Sequence, residues 1–130
     1  MVSGRALVSV VVLTLMACSP PYEGAQCRSI GQRTNPSSLP LGPTAPITAS
    51  ALGEPASYFN YTDELACCIT NPMYRGTNCS DVKCDEVIAK TTGATVNFTS
   101  DPCGPNLGNS VCTVFLQDSK IVGVYAQCRD

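Results

Sequence analysis

Residues 111–128 read VCTVFLQDSKIVGVYAQC, and this stretch decides the fold. Val111 to Leu116 and Ile121 to Cys128 are rich in Val, Ile, Phe and Tyr, which suit a pleated, half-buried surface. Gln117-Asp118-Ser119-Lys120 between them is short and polar, so the two runs read as a β-hairpin over about 111–128. A turn centred on Asp118 and Ser119 sets Cys112 opposite Tyr125. Cys112 and Cys128 are then out of register unless a bulge intervenes, and each is expected to bridge to another element.

Upstream, residues 94–99 alternate. Ala94, Val96 and Phe98 point one way, and Thr95, Asn97 and Thr99 the other, the pattern of a half-buried strand. Before it, Ser80 is a helix N-cap residue, and Asp81, Asp85 and Glu86 place negative charge in the early turns. Cys84, Val87, Ile88 and Thr91 share one helical face, Lys90 lies near the end, and Gly93 can end the helix. The spacing predicts a helix over about 81–92. Residues 62–70 fit either a strand or a short helix. The expected class is therefore α+β: a small disulfide-rich domain with one helix on an antiparallel sheet of about three or four strands.

The chain has nine cysteines. Seven of them, Cys67, Cys68, Cys79, Cys84, Cys103, Cys112 and Cys128, fall within residues 58–130. A core that small supplies little net stability, and domains of this size add disulfides. Seven is odd, so this domain is expected to recruit Cys27 and close four bridges. Adjacent Cys67 and Cys68 should reach two different partners, because neighbouring side chains diverge. Disulfides on this scale belong to an oxidising compartment.

The N-terminus agrees with export. Arg5 gives a basic start, Leu7 to Met16 form an apolar run, and Ala17 is a small residue before Cys18. The run is too short for a permanent span, which needs roughly 20 residues. Residues 1–17 therefore read as a signal peptide. Leu15-Met16-Ala17-Cys18 resembles the lipobox of bacterial lipoproteins, in which the chain is cut before the cysteine. The resemblance implies a diacylglycerol on the sulfur of Cys18, a membrane partner through that anchor, and a bacterial cell-envelope location. It also accounts for parity, since eight cysteines remain to pair. A competing signal comes from the sequons at Asn60, Asn78 and Asn97, which in a eukaryotic secreted protein are glycan acceptors.

Residues 18–57 hold most of the ten prolines, with much Ser, Thr, Ala and Gly. That composition predicts an extended, flexible tether between the anchor and a cysteine-rich domain over 58–130. Tyr58, Phe59 and Tyr61, at the start of that domain, are the candidate contact surface, because aromatic residues are enriched at interfaces.

Composition also narrows the chemistry. The chain contains no histidine, which removes histidine-based nucleophile activation and the usual general base near neutral pH. No C-x-x-C pair or phosphate-binding glycine loop is present, so no metal and no cofactor is expected. Asp63-Glu64 and Asp85-Glu86 are adjacent pairs that cannot flank a substrate by themselves. Eight Lys plus Arg against ten Asp plus Glu leave a net charge of −2, with no basic footprint for nucleic acid. The sequence thus favours a non-enzymatic, lipid-anchored binding or structural domain at the cell surface, with an unidentified protein or glycan partner. The alternative is a secreted, N-glycosylated, effector-like or toxin-like binding module.

Overall fold

The computed structural model describes residues 23–105 and 110–129. The expected signal segment 1–17 and Cys18 lie outside them. The hairpin forms as expected. Strand β4 (Val111–Gln117) and strand β5 (Lys120–Gln127) pair antiparallel, and only Asp118 and Ser119 lie between them. Both turn residues have positive φ, 50° and 62°, the geometry that matches the twist of paired strands.

The register differs from the expected one. Leu116 faces Ile121, but Phe115 faces Gly123, so Val122 is an extra residue that bulges β5. Cys112 consequently lies opposite Ala126 and not Tyr125. The bulge also resets the side-chain alternation. Ile121 and Val124 enter the same core cluster, although their spacing in a regular strand would put them on opposite faces.

The hairpin is the centre of a five-stranded antiparallel sheet, one strand or more beyond expectation. Strand β1 (Ala45–Pro46), strand β2 (Tyr58–Tyr61) and strand β3 (Thr92–Thr95) complete it in the order β1-β3-β4-β5-β2. The two added strands, β1 and β2, are short edge pieces without a periodic signal of their own.

Both faces of the sheet are covered. On the first, Ala94, Cys112, Val114, Leu116, Ile121, Val124 and Ala126 meet helix α1 (Ala25–Ile30) through Cys27 and Ile30. On the second, Phe115 and Tyr125 meet Leu52, Leu65, Ile69 and Val87. These come from a 3-10 turn (Ala49–Gly53), helix α2 (Asp63–Ala66), the turn after it, and helix α3 (Cys84–Ala89).

The described part of the expected tether, residues 23–57, therefore folds onto the sheet instead of hanging free. Cys27 bonds Cys112 and is fully buried, and Leu39 and Leu41 pack against the first core. Leu41 bridges to Val96, and Gly42 donates its N–H to Thr95 O at 2.9 Å. Covalent closure and a few spaced leucines give this segment something to lie on. Closing a loop with a sequence separation of 85 restricts the unfolded chain by about 4 kcal/mol.

The other three bridges are Cys67–Cys79, Cys68–Cys84 and Cys103–Cys128. The first ties the chain after α2 to the turn before α3, and the second ties it to the first residue of α3, so the adjacent cysteines do diverge. The third ties the loop after β3 to the end of β5. Each hairpin cysteine bridges to another element, since even with the bulge Cys112 lies opposite Ala126 and not Cys128.

Helix α3 is shorter than the expected span of 81–92. Its N-cap is Lys83 and not Ser80, because residues 79–82 form a separate turn in which Val82 N–H meets Cys79 O. Its end is set by Thr91, whose buried hydroxyl donates to Val87 O at 2.6 Å and accepts from Gln117 Nε2 at 2.8 Å. Thr92 and Gly93 already belong to β3, paired on both sides, so strand pairing overrides the helical end signal. Regular pairing stops at Thr95, yet the expected burial alternation continues: Val96 is buried and Phe98 partly buried, while Thr95, Asn97 and Thr99 are exposed.

Two hairpin substitutions should move stability in opposite directions. Ser119→Gly relieves a left-handed backbone and should stabilise by about 1 kcal/mol. Gly123→Ala places a Cβ 2.7 Å from Tyr61 and 3.0 Å from Leu65, and overpacking of this kind should cost about 1–3 kcal/mol. Urea midpoints of the two variants against the parent check both signs.

Candidate functional site

A concavity opens on the second sheet face. Its floor is the ends of three strands: Thr95 of β3, Thr113 and Phe115 of β4, and Tyr125 and Gln127 of β5. Its wall is the segment from Pro43 to Glu54, which leaves β1 and crosses the sheet through the 3-10 turn. The groove measures about 480 Å³ and is open to solvent along one side.

The strand register explains the floor. Thr95 pairs with Thr113, Thr113 with Tyr125, and Tyr125 with Phe59, so one row crosses the sheet from small polar to aromatic. The neighbouring row is Gly93, Phe115, Gly123 and Tyr61. Glycines on either side of Phe115 leave room for its ring, which meets Tyr61 edge-on at 5.5 Å. The polar row stays open while the aromatic row is filled.

Tyr125 connects the floor to the wall. Its hydroxyl donates to Pro55 O at 2.6 Å and holds the crossing segment down. Burial raises its phenol above the ordinary value, the negative charge of Glu54 raises it further, and Arg129 acts in the opposite sense. Glu54 and Arg129, both exposed, thus bring one charge of each sign near the groove. Burial also pushes the Tyr61 phenol up strongly, with a smaller contribution from Tyr125. The arrangement offers hydroxyls, an amide and a carboxylate around a partly apolar floor. That is chemistry for holding a small amphipathic molecule or a peptide segment.

The candidate contact residues divide between the two faces. Tyr58 packs against the first core, with the Arg28 guanidinium 4.7 Å above its ring. Phe59 and Tyr61 lie on the second face, 5.0 Å apart. There they join Tyr74, whose ring meets Phe59 edge-on at 5.9 Å. Tyr74 is 54% exposed and its neighbour Met73 79%. The sequence reading missed Met73, Tyr74 and Glu54. An apolar pair inside the turn between Asn71-Pro72 and Gly76 is the signal that points to the first two. Nothing local in the sequence marks Glu54.

The remaining expected residues take ordinary positions. Asp63, Glu64, Asp85 and Glu86 are exposed in the first turns of α2 and α3, and Glu64 pairs with Lys90 at 3.2 Å. Asn60, Asn78 and Asn97 are all exposed. Among the described residues no cluster of His, Cys, Asp and Glu is placed to hold a metal ion. Among them, too, no helix is long and apolar enough to cross a membrane. Comparison with protein-family models, curated proteins and solved structures finds no match.

The two raised tyrosines fix a pH window. Each is favoured in its neutral form by the fold, so its contribution is complete below the unfolded phenol value of about 10 and is lost as pH rises beyond it. Stability should be level from pH 7 to 9 and fall above about 10. Absorbance titration of the phenolates should show two of the five tyrosines ionising late, and Tyr61→Phe should remove one of them.

Proposed function

We propose that this chain is an exported, non-enzymatic binding module whose ligand groove lies between the Pro43–Glu54 segment and the second sheet face. The observation that carries the reading is the open groove between that segment and the sheet, in a domain whose eight cysteines other than Cys18 form four bridges. Such bridging belongs to an oxidising compartment, and the Tyr125 hydroxyl bonded to Pro55 O holds the crossing segment against the sheet. A shaped groove without histidine in the chain favours binding over turnover. The partner is an extracellular protein segment or glycan. Net charge of −2 gives no attraction to nucleic acid.

For its location we propose attachment to a bacterial cell envelope through a lipid on Cys18. The pairing of the other eight cysteines supports this, since it leaves Cys18 without a partner among them. The geometry adds a consequence. Gly24 is buried against the sheet beside Ala126, and six residues of chain reach at most about 20 Å. A lipid on Cys18 would hold the domain close to the bilayer, with no long spacer.

A second reading is favoured by one observation: all three sequon asparagines are exposed. In this reading the chain is a secreted eukaryotic glycoprotein with an effector-like or toxin-like binding role. Intact mass spectrometry of protein from its native source separates the two. A diacylglycerol mass on a chain beginning at Cys18 is expected from the first reading. Hexose-containing additions on a chain that has lost Cys18 would replace it with the second.

A further inference from the structure

The five-stranded sheet has two edges, and only one is closed by its own sequence. The β1 edge is two residues long and ends in Pro46, which has no N–H to offer another strand. The β2 edge is Tyr58-Phe59-Asn60-Tyr61, paired to β5 on one side only. It contains no proline and no charge, and its register shows no bulge. Beside it stand the exposed Tyr74 and Met73. An uncharged, aromatic, regular edge is a template for pairing with a second chain.

The only non-aromatic side chain in that strand is Asn60. It is exposed, lies opposite Val124 at the middle of the edge, and begins the sequon Asn60-Tyr61-Thr62. We propose that Asn60 is an N-glycan acceptor whose glycan covers the open β2 edge and keeps the protein monomeric. The inference rests on the glycoprotein reading. The transfer uses an oligosaccharide activated on a lipid pyrophosphate. The Asn60 amide nitrogen bonds the anomeric carbon as the anomeric carbon–oxygen bond breaks; the lipid pyrophosphate leaves with the bonding pair, and the amide proton passes to a base of the transferring enzyme.

The other sequons lack this position. Asn97 lies beyond β3, beside chain that already accompanies it, with its N–H bonded to Pro40 O at 2.9 Å. Asn78 has a left-handed backbone, φ 58°, and its sequon includes Cys79, which is bridged to Cys67. A glycan at either site covers no unpaired strand.

The test uses the full chain secreted from a eukaryotic host, with glycopeptide mapping and light scattering over a range of concentrations. Asn60 should be occupied and the parent monomeric. Asn60→Gln, Thr62→Ala, and the folded parent after enzymatic glycan removal should associate, with apparent mass rising about twofold or more as concentration increases. Thr62 makes no side-chain capping bond, so its substitution removes the sequon without disturbing α2. Asn60→Lys also lacks the glycan but charges the edge, and it should stay monomeric. Asn97→Gln should behave as the parent. An unoccupied Asn60 beside an occupied Asn78 or Asn97 overturns this inference and leaves the glycoprotein reading standing. No glycan at any of the three overturns both. A deglycosylated parent that stays monomeric overturns the edge-covering role.

Discussion

The bond between Cys27 and Cys112 is the constraint on which the rest of the arrangement depends. It joins helix α1 to the central strand β4, and both sulfurs are fully buried in the first core. Once α1 is fixed there, the proline-rich chain that follows has a defined starting point. It runs beside β3 through Leu41 and Gly42, supplies the edge strand β1, and crosses to the second face. The groove exists because that crossing segment is held at both ends: by the α1 attachment on one side and by Tyr125 and strand β2 on the other. Without the bridge, residues 28–57 carry few apolar groups with which to find the sheet again.

The second constraint is the bulge at Val122. A sheet buried on both faces needs each strand to supply two apolar sets, and a two-residue period cannot be shifted locally without some irregularity. The extra residue lets Ile121 and Val124 serve one core while Val122 and Tyr125 serve the other. The second face is covered by short helices of four and six residues. Two bridges within residues 67–84 compensate by holding those helices where their own hydrogen bonding would not.

Much of this was legible in the sequence, and the missing parts have physical reasons. The hairpin was readable because its turn and both apolar runs are local. So were the divergent partners of Cys67 and Cys68, which follow from adjacency alone. The bulge was not readable, because Val122 is as apolar as its neighbours and nothing marks it as the surplus residue. The end of helix α3 was misplaced because Gly93 offers a local stop signal, while the pairing of Thr92 with Pro46 and Leu116 is non-local. The folded state of residues 23–57 was hidden for the same reason, since its cause is a bond to a residue 85 positions away. Of the groove, Thr95, Thr113, Phe115 and Tyr125 come from strands readable in the sequence, whereas Glu54 gains its position only from the crossing segment.

The groove is walled by irregular chain supported on a small sheet. The account stands on the claim that the N-terminal segment is covalently part of the sheet. Peptide mapping by mass spectrometry under non-reducing conditions tests it directly. The structure predicts a Cys27–Cys112 linked peptide together with Cys67–Cys79, Cys68–Cys84 and Cys103–Cys128. A free thiol at Cys27, or a Cys112–Cys128 peptide, would contradict it.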